Sequence, residues 1–133
     1  MSNVALGIDL GTSAVKCVLT RNGRVIGTGS FDLRVSSPQA GWSEQDPADW
    51  IDAVQRAAHS AIQAAKISAH QIGGISLSGQ MHGAVILGAD NAVLRPAILW
   101  NDNRSIAECA ELLQRLPNIG EIAGVPPLPG FTA

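Results

Sequence analysis

This sequence contains no tyrosine, only two phenylalanines, and three tryptophans in 133 residues, so each tryptophan stands out. The net charge of −2 excludes the basic footprint that nucleic-acid binding requires and a polybasic arm for a membrane surface. No apolar run approaches the roughly 20 residues of a membrane span. No basic segment followed by an apolar stretch opens the chain, so no secretory signal is expected. The two cysteines, Cys17 and Cys109, are far apart and in no metal-ligand spacing, which fits reduced thiols in a cytoplasmic protein. No internal repeat and no low-complexity tract is present.

What is present reads as a globular chain: 46% hydrophobic and 15% charged residues support a packed core rather than disorder. The length suggests one domain, 1–133. Val4 to Ile8 and Ala14 to Leu19 are short branched-apolar runs, expected to be strands. Arg21-Asn22-Gly23 gives a hairpin turn into a third strand, Arg24 to Leu33. Residues 34–45 lack periodicity and read as a loop. A helix then starts at Asp46 (cap), Pro47 (first position) and Asp49 (positive helix end). Its apolar stripe is Trp50, Val54, Ala57, Ala58, Ala61, Ile62 and Ala65, with Trp50 as a core anchor.

Ile72 to Leu77, Ala84 to Leu87 and Arg95 to Trp100 read as further strands, with a turn at Asp90-Asn91. Ile106, Ala110, Leu113 and Leu116 mark a second helix that Pro117 ends. Residues 117–133, with four prolines and three glycines, read as a loop. Antiparallel hairpins followed by a helical crossover predict an α/β domain with a mixed β-sheet.

The chemistry concentrates in Gly7-Ile8-Asp9-Leu10-Gly11-Thr12-Ser13-Ala14-Val15-Lys16. An acid at a strand end can hold a metal ion through water, Gly11 lets the backbone approach a ligand, Thr12 and Ser13 donate to oxygens, and Lys16 adds positive charge. The order suits a nucleotide phosphate. It is neither a Walker loop nor the dinucleotide fingerprint, because the turn leads into a strand rather than a helix. Lys16, three residues past the turn, is open to either face of its strand.

Two further segments narrow the reading. Ser78-Gly79-Gln80-Met81-His82-Gly83 follows one apolar run, and Pro96-Ala97-Ile98-Leu99-Trp100-Asn101-Asp102-Asn103-Arg104 spans another. With Gly41-Trp42-Ser43-Glu44-Gln45-Asp46-Pro47 upstream and Pro129-Gly130-Phe131-Thr132-Ala133 at the close, the chain resembles the FGGY family of carbohydrate kinases, and within it the xylulose-phosphorylating branch. Gln-Met-His-Gly separates that branch from glycerol kinases, which place an Arg-Glu pair where Met81 and His82 stand.

The resemblance implies an actin-like ATPase (ribonuclease H-like) fold and ATP-dependent phosphorylation of a ketose, D-xylulose to D-xylulose 5-phosphate. It implies ATP and Mg²⁺ as cofactors, with Asp9 (through water), Gly11, Thr12, Ser13 and Lys16 on the phosphates. Gln80, Met81, His82, Trp100, Asn101 and Asp102 are implied at the sugar site. There His82 bonds a hydroxyl, Gln80 supports its turn, Trp100 walls the pocket, and Asn101 and Asp102 lie at its edge. Such a site uses a few polar groups and an aromatic ring against a sugar's C–H face.

Alternatives stay open for several of these residues. His82 also reads as a satisfied loop residue, Trp100 as core and Asp102 as a helix cap. Arg104 reads as solvated or paired with an acid, Glu44 as a loop charge and Asp46 as a helix cap. His59 and His70 read as surface residues, and Cys109 as helix packing. The family's base aspartate falls beyond residue 133, so no residue here is assigned that role. The expectation is an N-terminal part without its C-terminal domain, inactive alone, with a homodimer open to the whole protein. Two alternatives are an FGGY kinase for gluconate, ribulose or glycerol, and a non-catalytic actin-like sugar-binding module.

Overall fold

Strands β1 (Val4–Leu10) and β2 (Ala14–Arg21) alternate buried and open side chains, as a half-covered sheet requires. They pair antiparallel, and β2 pairs in the same sense with β3 (Arg24–Asp32). The β2–β3 turn places Asn22 at φ +52° and Gly23 at φ +75°, the left-handed pair that matches hairpin twist. The computed structural model describes residues 3–131, and the chain falls into two compact units. One comprises the segment up to Arg34 with Ala48–Gln80, the other Val35–Pro47 with the segment from Met81 onward.

In the first unit, helix α1 (Pro47–Ala65) carries the chain from the antiparallel strands to β5 (Ile72–Gly79), by way of a 3₁₀ turn at Ala69–Gln71. Strand β5 pairs parallel with β1, completing the order β3-β2-β1-β5. The mixed sheet with a helical crossover is therefore as expected. Val4, Leu6, Val15, Cys17 and Leu19 bury against α1, whose Ala53, Ala57 and Ala61 are fully covered. Trp50, Val54, Ala58, Ile62 and Ala65 pack around them, so the expected stripe holds and Ala53 joins it. The helix can sit this close because β3 has Gly27 and Gly29 beneath it. A β-carbon on either would overlap a carbonyl oxygen of α1, Ala61's and Ala57's respectively. Truncating a buried side chain such as Leu19 costs about 2–5 kcal/mol.

The second unit holds β4 (Glu44–Gln45) paired antiparallel with β6 (Ala97–Ile98), and helices α2 (Ile106–Arg115) and α3 (Ile119–Ala123). Several expectations are corrected here. The 34–45 loop ends in β4. Ala84 to Leu87 forms only isolated bridges, Ala84 to Ile98 and Leu87 to Val93. Arg95 to Trp100 shortens to β6, and the terminal loop contains α3. The Asp90-Asn91 turn is present, with Asn91 at φ +63° and the Ala92 N–H donating to Asp90 Oδ1 at 3.1 Å. Of the closing Pro129–Ala133 segment, Thr132 and Ala133 lie outside the described residues. No helix among the described residues is long and apolar enough to cross a membrane.

Candidate functional site

The β1–β2 turn is short and internally tied. The Gly11 N–H donates to the Ala14 carbonyl at 3.1 Å, and the Leu33 N–H donates to the Ser13 carbonyl at 2.8 Å. A β-carbon on Gly11 would stand 3.0 Å from the Ala14 oxygen, so a side chain there crowds the bond that closes the turn. Gln80, just after β5, braces the turn: its N–H donates to the Leu10 carbonyl at 2.8 Å. The Thr12 hydroxyl donates to Gln80 Oε1 at 2.9 Å. Gly11's N–H is thus committed to the turn, while the Ser13 side chain is exposed.

Register settles the orientation of Lys16. Asp9 pairs with Lys16 on β2, Lys16 with Ser30 on β3, and Asp9 with Ser78 on β5. Cross-strand partners share a face, so Ser30, Lys16, Asp9 and Ser78 form one polar row across all four strands. The next row, Thr28, Val18, Gly7 and Ser76, lies on the same face. A concavity of about 710 Å³ spans it, lined by Asp9, Lys16, Thr28, Ser30, Ser76 and Ser78 among others. Asp9 is exposed, and its carboxylate makes no hydrogen bond or ion pair among the described residues. No group of three metal-ligating side chains occurs among the described residues, so a cation at Asp9 would draw its remaining oxygens from water or a bound ligand.

In the second unit, His82 sits at φ +64°, a left-handed conformation that costs a non-glycine residue about 1 kcal/mol or more. Its ring stacks on Phe131, with centroids 4.3 Å apart and planes inclined at 25°. Met81 is 70% exposed and Trp100 43% exposed, which removes Trp100 from the core. Asn101 is exposed as well. Gly130, at φ +67°, has no room for a side chain: a β-carbon would lie 2.5 Å from the Trp100 carbonyl oxygen and 2.8 Å from that of Asp102. The closing segment therefore packs tightly onto the Trp100–Asp102 loop. The contact between Phe131 and His82 was not foreseen; the Pro-Gly-Phe order was its only sequence signal.

Asp102 departs from both readings given to it. It is 1% exposed, and the N-cap position of α2 is held by Ser105, whose side chain makes no capping hydrogen bond, rather than by Asp102. Its Oδ1 accepts from the Arg104 N–H and Nε at 2.9 and 2.8 Å. Its Oδ2 accepts from Arg104 NH2 at 2.7 Å and from the Ser43 N–H at 2.6 Å. With both oxygens so engaged, the carboxylate braces the loop rather than lying open to a sugar. Burial alone would raise its pKa. The side-chain and backbone hydrogen bonds from Arg104, the Ser43 N–H and the Arg104 charge outweigh burial and hold it at about 2. Arg104 also pairs with Glu44 at 2.8 Å and stacks over the Trp42 ring at 3.7 Å. Arg95 reaches the same Glu44 oxygen at 2.8 Å. Glu44 is therefore a buried ion-pair partner in β4, not a loop charge.

Comparison with known proteins gives one answer. Residues 4–133 match the FGGY family of carbohydrate kinases, N-terminal domain. The chain is similar to the xylulose kinase of Escherichia coli (strain K12), 45% identical over 129 residues, which is 96% of this chain and 26% of that protein. A crystal structure of a "xyloylose kinase" from Brucella ovis superimposes with a TM-score of 0.88 at 48% identity, covering 96% of this chain and 27% of that one. A gluconate kinase structure from Lactobacillus acidophilus gives 0.80 at 32% identity, covering 90% and 23%. The chain spans about a quarter of the length of the curated relatives it matches.

Proposed function

The chain belongs to the FGGY family of carbohydrate kinases, and from that premise we propose that the whole protein transfers the γ-phosphate of ATP to a hydroxyl of D-xylulose, giving D-xylulose 5-phosphate. The observation that carries the transfer is Asp9, an exposed carboxylate with no partner among the described residues, set opposite Lys16 and two residues before the Gly11–Ser13 turn. Phosphoryl transfer asks a protein chiefly for positioning and for neutralisation of spread charge. Lys16 supplies a positive charge and Ser13 an exposed hydroxyl. A Mg²⁺ ion, which neutralises the phosphates when bound, suits one or two carboxylates together with substrate phosphates and waters. Asp9 fits that part, since none of its lone pairs is taken by the described residues.

Sugar recognition is assigned to the second unit. The exposed Met81, His82, Trp100 and Asn101 offer an imidazole, an amide and an aromatic face, which matches what a polyhydroxy compound needs. Asp102 acts there through the loop it braces. The choice of D-xylulose is supported by the similarity to xylulose kinases. The acceptor's proton is taken by no residue assigned in this chain.

The substrate is tested by comparing kcat/KM for D-xylulose, D-ribulose, gluconate and glycerol with the whole protein and MgATP. D-xylulose should lead by about tenfold or more, since hydroxyl-pairing sites discriminate strongly. A lead for gluconate or glycerol would reassign the enzyme within the family.

A further inference from the structure

Thr12 and Ser13 are adjacent hydroxyls, yet the first unit treats them differently. A threonine hydroxyl has one proton to donate, and an amide oxygen only accepts. The 2.9 Å contact from Thr12 Oγ1 to Gln80 Oε1 therefore commits Thr12's proton. The Gln80 N–H grips the Leu10 carbonyl at 2.8 Å, so Gln80 holds the turn on both sides of Gly11. The Ser13 hydroxyl has no hydrogen bond among the described residues.

We propose that Gln80 is a positioning residue of the nucleotide turn and not a sugar ligand. By taking the Thr12 proton it makes Thr12 an acceptor, suited to a metal-bound water, and leaves Ser13 as the turn's hydroxyl donor to phosphate. Gln80 is also peptide-bonded to Met81, so the strand end that leads into the sugar-recognition residues is the one that sets the turn. This assignment rests on the phosphoryl-transfer reading above and refines the division of labour within it.

The test is calorimetric binding of MgATP to the whole protein, alongside the KM for D-xylulose, in Gln80→Ala, Thr12→Val, Thr12→Ser and the Gln80→Ala/Thr12→Val double variant. Losing this one bond should weaken MgATP binding by about tenfold in Gln80→Ala and in Thr12→Val. The double variant should be no weaker than either single, because the two side chains act as one unit. Thr12→Ser, which keeps the hydroxyl, should bind MgATP more tightly than Thr12→Val, and sugar KM should stay within about twofold throughout. A raised sugar KM with unchanged MgATP affinity in Gln80→Ala, or additive losses, would overturn the proposal. Should Gln80→Ala fail to fold, Thr12→Val against Thr12→Ser decides, with equal affinities overturning it. A wild-type protein that binds MgATP but phosphorylates no sugar refutes the transfer reading alone, and the binding comparison still decides the role of Gln80. A wild-type protein that binds no MgATP refutes both.

Discussion

Asp9 and Lys16 stand directly opposite each other on adjacent antiparallel strands, on one face of the sheet, and form no ion pair among the described residues. Two opposite charges left open beside a tight turn contribute little to the fold and are available to a charged ligand. This separates them from Asp102 and Arg104, whose charges are spent on each other.

Asp9→Asn should therefore lower kcat by roughly 10²-fold or more, the scale for losing one charge-stabilising group at a transferring phosphoryl group. The melting temperature should hardly move, because no described residue loses a partner. Steady-state kinetics and thermal unfolding of the same preparation check both halves. A large loss of stability with kcat preserved would make Asp9 structural.

His82→Gly should separate strain from recognition. The substitution relieves the left-handed backbone, worth about 1 kcal/mol, and forfeits the stack on Phe131, of similar size. The net change in stability should be small. The KM for sugar should rise, by up to about 1–3 kcal/mol of lost interaction if a sugar hydroxyl is left unpaired. An unchanged KM would remove His82 from the site.

Most of the first unit was legible in the sequence. Branched apolar runs set β1 and β2, Asn22-Gly23 set their continuation into β3, and Asp46-Pro47 set the start of α1. What stayed hidden depended on partners distant in the chain. Glu44 looked like a loop charge because Arg95 and Arg104, which bury it in β4, lie more than fifty residues downstream. Ala84 to Leu87 has a strand's composition but finds only single bridges. The His82–Phe131 stack joins segments forty-nine residues apart (82 to 131). The side of β2 on which Lys16 lies was a matter of register alone.

Asp102 should make stability depend on pH in the acid range. Its folded pKa of about 2 lies below the ordinary 3.8, so its contribution is fully present above the unfolded value and is lost as pH falls toward 2. The size is about 2 kcal/mol. Urea unfolding of wild type and Asp102→Asn from about pH 6 down to about pH 2 should show the gap between them closing in that window. A gap independent of pH would contradict the ion-pair account.

Gly130→Ala should destabilise the second unit by more than about 1 kcal/mol, since alanine meets both an unfavourable φ and occupied space. Trp100 should report it, because the displaced carbonyl is its own. The check is a lowered melting temperature with an altered tryptophan emission; a wild-type spectrum and melt would show that the closing segment is loosely packed.

The most direct test of the central claim is sugar-dependent release of ADP by the whole protein supplied with MgATP and D-xylulose. The account predicts ADP formed in equal amount with a phosphate monoester of the sugar, and its loss in Asp9→Asn. Bound MgATP with no ADP released on adding D-xylulose or any other ketose or polyol would contradict it.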